Sequence, residues 1–376
     1  MAAWVTCAAV VILAAGEVAL RVRADILEKT RSNWPTDPIG RLEMAYAPFT
    51  IQHLHPQYFF FFPLDPEERV AISNEVAHLD RDGFRGQGPA FSGSRQLAFL
   101  VGGSSAFGHY SSSDETTISG YLNRIQQEYF FVNAGVPSWS STQELIRVAY
   151  QLAAYRPSLV IAYNGANDAG LLRRFGSTYP PGTPENFDLL ADQVDDLNGR
   201  PKGPARSPAY WFERLFPEVS ARINRLVLPA IFGPPTPEQE PPLSPEVLES
   251  GIDRYIDNQR RMRDLVLAGG GRFMWVYQPV RDLHANVDPA SVNALSVHHR
   301  FHKAVLRRDL SGLEFHDFAA LFDRFYARVP TLDGVPTQET TFVDDVHLYD
   351  PGNAIVAREL WRVICAGTPK PKSGCS

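Results

Sequence analysis

The chain has 376 residues, 44% hydrophobic and 21% charged, a composition that suits a folded globular protein and excludes a disordered one. Its net charge of −6 comes with no long Lys/Arg run, which argues against nucleic acid as the main partner. The three cysteines, Cys7, Cys365 and Cys375, form no CxxC pair, so zinc-finger and thioredoxin-type readings have no support.

The first stretch, "MAAWVTCAAVVILAAGEVAL", is apolar up to Glu17 and sits at the lower limit for a bilayer span, about 17–25 residues. Residues 1–23 are expected to be a signal or anchor segment attaching the chain to a membrane, with a helix packed on the domain as the alternative. No Lys or Arg precedes the run, so the usual positive leader is missing. Arg21, Arg23, Lys29 and Arg31 follow it, and by the positive-inside rule they would hold the body in the cytoplasm. The C-terminal tail, residues 367–376, pulls the other way. Cys365 and Cys375 flank a Gly/Pro loop and could close a disulfide, which needs an oxidising compartment. We expect an extracytoplasmic protein, membrane-anchored or secreted, against the sense of the flanking charges.

Residues 24–90 read as an irregular extension. Its run Phe59–Phe62 fits a strand or plug packed on the main domain better than a membrane-dipping loop. From Leu97 onward five apolar runs recur: "LAFLVGG", "YFFVNAG", "SLVIAYNG", "RFMWVYQP" and "GLEFHDF". Between them lie helix-like stretches, among them "ETTISGYLNRIQQ", "STQELIRVAYQLAAY" and "PEVLESGIDRYIDNQRRMRDLVLAG". Strands alternating with helices predict an α/β domain over 91–366, with a parallel sheet covered on both faces. Residues 171–245 break the rhythm with proline-rich segments and read as an insertion carrying one or two helices.

In such a sheet, ligands bind outside the carboxyl ends of the strands. The runs end there in polar residues: Gly103-Ser104-Ser105, then Asn133-Ala134-Gly135, then "YNGANDA" with Asn167 and Asp168. A last polar block, "DDVHL", holds Asp344, Asp345 and His347 just before a predicted final helix. Gly-Ser turns, NxD loops and an acidic helix cap each have an ordinary structural explanation. Together they could supply a serine nucleophile, its base, the base's orienter and donors for an oxyanion. A G-x-S-x-G nucleophile elbow is ruled out, because Ala106 stands where the last glycine belongs.

"GGSSAFG", "NAGVPSWSS", "YNGAND" and "DDVHL" resemble the four blocks of the SGNH (GDSL-type) hydrolase superfamily. "NEVAHLDRDGFRG" resembles the lead-in of membrane-linked bacterial members, so the resemblance spans roughly 74–366. It implies a three-layer sandwich with five parallel strands, flavodoxin-like in architecture. It also implies Ser104 as nucleophile, His347 as base and Asp344 as orienter, with an oxyanion hole of Ser104, Ser138 and Asn167. Ser105 becomes a turn residue and Asp345 a neighbour without a role. Gly103 replaces the family's Asp, and Ser138 replaces its oxyanion glycine. Ser138 keeps the needed N–H but would be strained if the turn demands positive φ.

The activity so implied is hydrolysis of an ester through an acyl-Ser104 intermediate. It needs no metal or organic cofactor, and by analogy the acyl group is small, such as acetyl on a glycan or lipid-like ester. The alternatives are an O-acyltransferase with the same triad, and a catalytically silent glycan-binding protein of the same fold. Trp139 is a candidate for stacking on a sugar ring, with a core role as the alternative. His298 and His302, four residues apart on one helix face, lack the glutamate and third ligand of a zinc site and read as a solvated face.

Overall fold

The structure is a computed structural model describing residues 77–80, 82–176, 243–284, 296–326 and 341–367, with Gly16, Val18, Val219 and the short strands at 44–45, 53–54 and 72–73. The chain divides into two compact units, Met1–Thr36 with Asp195–Pro241, and Asp37–Val194 with Pro242–Ser376. In the first unit Gly16, Val18 and Val219 are helical. Among the described residues no helix is long and apolar enough to cross a membrane. Most of the expected anchor segment, Phe59–Phe62 and most of the expected insertion lie outside the described residues.

The second unit contains the anticipated sheet. Strands β1 (Gln96–Gly102), β2 (Tyr129–Gly135), β3 (Leu159–Asn164), β4 (Arg272–Tyr277) and β5 (Phe315–Asp317) are all parallel, in the order β2-β1-β3-β4-β5. Their sequences are near-continuous apolar runs because both faces are covered. Side chains alternate between two cores. Phe99, Val101, Val132, Val160 and Trp275 face one layer, while Ala98, Leu100, Phe131, Ile161 and Val276 face the other.

The helices follow from caps and spacing. Helix α1 (Ser104–Phe107) opens at the end of β1, and α2 (Ile118–Ile125) starts at Thr117, whose hydroxyl accepts from Gly120 N. A Ser140/Gln143 capping box starts α3 (Ser141–Tyr150). Helix α4 (Ala166–Phe175) follows β3 and carries Leu171–Phe175, so the chain remains regular five residues into the region read from sequence as an insertion. Helix α5 (Pro245–Ala268) has Ser244 as N-cap and Pro245 in its first turn, and α6 (Val297–Val305) is capped by Ser296. The last helix, α7 (Asp350–Ala366), packs on α2 over one face of the sheet, while α3, α5 and α6 cover the other.

Residues 77–90, assigned from sequence to the extension, join this unit directly. Arg85 bridges antiparallel to Asn133 on the edge strand β2, and its buried guanidinium donates to the carbonyls of Phe107 and Gly108 at the end of α1. Asp114 completes the site at 2.8 Å from Arg85 Nε. The lead-in thus protects an open sheet edge and holds the short helix that begins with Ser104.

Between β3, α3 and α5 lies a buried polar network. Asn164 donates to Glu144 Oε2 and accepts from Tyr255 Oη at 2.7 Å, while Trp275 Nε1 donates to that phenol oxygen at 3.0 Å. Glu144 Oε1 has no hydrogen-bond partner among the described residues. Burial, then the nearby Asp168 carboxylate, raise the Glu144 pKa well above 4.5, with the Asn164 bond opposing. A raised acid pKa means that the unfolded chain releases this proton first, so stability falls as pH rises above about 4.5 until the folded carboxyl ionises too. Glu144→Gln should fold normally and remove that part of the slope, with the variant gaining on the wild type as pH rises. Urea midpoints across the pH range check this, and parallel curves for the two proteins would contradict it.

Candidate active site

The strand order reverses direction around β1, with β2 on one side and β3 on the other. The connections leave on opposite faces, so a crevice opens beyond the carboxyl ends of β1 and β3. Ser104 stands at the end of β1, and Asn167 in the first turn of α4 stands beyond β3. The loop before α7 brings His347 to the same place. Nε2 of His347 lies 2.6 Å from Ser104 Oγ, and its Nδ1 lies 2.6 Å from Asp344 Oδ2. With Asp344 ionised, Nδ1 is the donor, which leaves Nε2 free to accept the Ser104 proton.

Asp344 is anchored as well as paired. Its Oδ1 accepts from the backbone N–H of Val346 at 2.9 Å and of His347 at 2.8 Å. Partial burial opposes its charge, but the His347 side chain and these two N–H groups outweigh it and hold the pKa at about 2. Asp344 therefore stays ionised at any ordinary assay pH. Asp345 stands outside this hydrogen-bonded chain and lines the adjoining cavity. Burial, then Asp282 and Asp344, push its pKa up, and its backbone carbonyl accepts from Arg281 N at 2.8 Å.

Three donors converge on the crevice. Asn167 Nδ2 donates to the Trp139 carbonyl at 2.9 Å, which fixes the amide and leaves its second N–H available. The backbone N–H groups of Ser104 and Ser138 have no partner among the described residues. Ser138 adopts φ 65°, within a turn closed by Trp139 N donating to Val136 O at 3.2 Å. Pro137 and Ser138 thus occupy the central positions of a type II-like turn whose second position demands positive φ. The strain expected from the sequence is present.

Two glycines are required by close approach. A Cβ on Gly103 would lie 2.2 Å from Asn167 Nδ2, so a side chain there would displace the Asn167 amide. Gly165 has φ 114°, and a Cβ there would lie 2.6 Å from the Tyr277 ring.

Trp139 does not flank the cleft. Its side chain is only 1% exposed and packs in the core beneath the Arg147 guanidinium, while its carbonyl oxygen serves Asn167. His298 and His302 part company despite their spacing. His302 pairs with Asp317 at 3.0 Å, whereas His298 lines a cavity of about 450 Å³ with Ser138, Asn167, Leu171, Asp344 and Asp345. The solvated-face expectation therefore fails for His298. Among the described residues no group of three His, Cys, Asp or Glu side chains could hold a metal ion.

Sequence reasoning missed four contributors. Arg85 supports α1 from behind, and its only sequence signal was its place in the lead-in block. Ser105, read as a turn residue, donates from Oγ to the Val346 carbonyl at 2.9 Å. His109 and Tyr110 also pack on the His347 ring, with centroids 5.2 and 5.4 Å away.

No protein-family model and no curated protein sequence matches the chain. Solved structures similar to it include an acetyl xylan esterase, AlAXEase, at 12% identity and TM-score 0.39, covering 71% of this chain and 99% of that one. Axe2, an acetylxylan esterase from Geobacillus stearothermophilus, is 15% identical at TM-score 0.38, covering 74% of this chain and 97% of its own. A GDSL-like lipase from Bacteroides thetaiotaomicron is 11% identical at TM-score 0.37, covering 73% and 89%. Likeness this distant assigns neither residues nor activity to this chain.

Two substitutions test the turn at Ser138 and the close contact at Gly103. Ser138→Gly removes a left-handed strain of about 1–2 kcal/mol and adds a flexibility cost of about 0.5–1 kcal/mol. The variant should therefore be more stable by several tenths to about 1 kcal/mol, read from urea unfolding. Gly103→Ala should do the opposite to activity. Its Cβ must push Asn167 aside, so kcat should fall on the order of 10²–10³ while the unfolding midpoint changes little.

Proposed function

We propose that the chain is a serine ester hydrolase working through an acyl-Ser104 intermediate. One observation carries this reading: an unbroken relay from Ser104 Oγ through His347 to Asp344, both links at 2.6 Å, at the crevice where three unspent N–H donors converge. Nε2 takes the hydroxyl proton as Oγ attacks the ester carbonyl carbon. The carbonyl oxygen gains negative charge beside the N–H groups of Ser104 and Ser138 and the Asn167 amide. Collapse of the tetrahedral intermediate breaks the bond to the alcohol oxygen, which receives the proton from the imidazolium. Water, deprotonated by Nε2, then attacks the acyl carbon and releases the acid, and the proton returns to Ser104.

The cavity beside the donors supports a hydroxylated alcohol portion. Its wall combines His298, Asp345 and Ser138 with Leu171 and Val346. Its volume of about 450 Å³ lies within the usual range for small-molecule sites, about 300–1,000 Å³. A small acyl group on a glycan fits this chemistry. Cys365 is disulfide-bonded, which supports work in an oxidising compartment, and its expected partner Cys375 lies outside the described residues. Attachment to a membrane through residues 1–23 is part of the same proposal and rests on their apolar sequence.

The test is labelling with a fluorophosphonate probe together with turnover of short-chain aryl esters and acetylated glycans. Wild type should be labelled, and Ser104→Ala should be unlabelled and slower by several orders of magnitude. Asn167→Ala should lose about 10²–10³ in kcat. Asp344→Asn should lose on the order of 10⁴, the cost of a wrong imidazole tautomer. Labelled protein that turns over no ester, or an active Ser104→Ala, would refute the reading.

A further inference from the structure

Ser105 and Ser104 are adjacent hydroxyls with opposite fates. Ser104 Oγ meets a base. Ser105 Oγ gives its one hydrogen to the Val346 carbonyl and accepts from Gln278 Nε2, both at 2.9 Å. A hydroxyl whose one hydrogen is held by a carbonyl has no proton to yield to a base.

The acceptor matters more than the bond. The Val346 carbonyl belongs to the peptide unit whose N–H is that of His347, and this N–H donates to Asp344 Oδ1 at 2.8 Å. The one peptide from which the catalytic imidazole hangs is therefore held at both ends, by Ser105 at its oxygen and by Asp344 at its nitrogen. Ser104–Ser105 and Val346–His347 are clamped twice, once through the side chains of Ser104 and His347 and once through Ser105 and the Val346 backbone. Gln278 fixes the clamp to the sheet. It follows β4 directly, its backbone N–H donates to the Asn164 carbonyl at the end of β3 at 3.0 Å, and its side chain is buried.

We infer that Ser105, backed by Gln278, is a positioning residue that sets the placement of the His347 imidazole against Ser104. This rests on the reading of Ser104 and His347 as nucleophile and base. The clamp works without touching substrate. Its loss leaves binding intact and lets the base drift, and a misplacement of about 1 Å can cost about 10²-fold in rate.

The experiment compares Ser105→Ala, Ser105→Thr and Gln278→Leu in the full chain. The Ala variant should lose about 10- to 10²-fold in kcat with KM little changed, and Thr, which keeps the hydroxyl, should recover most of it. Gln278→Leu should fall between them. Ser105→Ala should add little once Asp344→Ala has released the other end of the peptide, because both act on one unit. A second readout needs no substrate. The low-field proton resonance of His347 Nδ1, held by Asp344, should shift or broaden in Ser105→Ala and return in Ser105→Thr. Wild-type kcat together with an unchanged resonance in Ser105→Ala would overturn the inference, as would a rate loss fully additive with Asp344→Ala. Failure of the hydrolase reading looks different: wild type shows the resonance yet takes no fluorophosphonate label.

Discussion

The reversal of strand order around β1 is the constraint on which the site depends. Parallel strands need crossover connections, and connections leaving β1 and β3 on opposite faces cannot both cover the carboxyl edge between them. The crevice is therefore a by-product of topology, and chemistry is supplied to it by whichever residues end the strands. Here β1 supplies Ser104, β3 leads to Asn167, and the turn after β2 supplies Ser138. His347 arrives from far along the chain, on a loop that leads into α7. That helix is tied back to the nucleophile region by Asn353, which donates to Ser111 Oγ at 2.9 Å, and by Asp350, which accepts from Ser112 N at 3.0 Å.

Precision at such an edge is maintained by backbone groups as much as by side chains. Asn167 is aimed by the Trp139 carbonyl, Asp344 by two backbone N–H groups, and His347 through its own peptide. Close contact also restricts what may stand nearby. Gly103 has room for no Cβ because Asn167 lies over it, whereas Ser138 keeps its Cβ at the expense of backbone strain. The residues at 103 and 138 thus have different physical meanings. A glycine at 103 makes room for the Asn167 amide, while a serine at 138 tolerates a turn that glycine would adopt more readily.

The sheet was legible from sequence because parallel strands covered on both faces are unbroken apolar runs. "YFFVNAG" corresponds residue for residue to β2. The site blocks were legible because small and polar residues interrupt those runs at their carboxyl ends. What sequence did not convey was orientation. Trp139 follows the Pro137–Ser138 turn in the chain, yet its side chain turns inward to the Arg147 side of the core. His298 and His302 share a helical face by spacing, but Asp317 captures one while the other reaches the cavity. Ser105 looked like turn chemistry because its partner, a backbone carbonyl more than two hundred residues away, leaves no pattern in the sequence.

Two carboxyl groups show how environment divides labour within one fold. Asp344 is partly buried, yet it faces an imidazole and two N–H groups, and its pKa is pulled to about 2. Glu144 is wholly buried, with Asn164 as its hydrogen-bond donor and the Asp168 carboxylate nearby, and its pKa is pushed up. Burial acts in the same direction on both, so the sign is decided by how many donors meet the charged form. Asp344 has the donors because it sits on the loop whose peptides turn inward to it. Glu144 lacks them because its surroundings are fixed by strand and helix packing, where backbone N–H groups are spent on secondary structure. The charge kept on Asp344 faces the His347 ring, whereas burial favours the neutral form of Glu144.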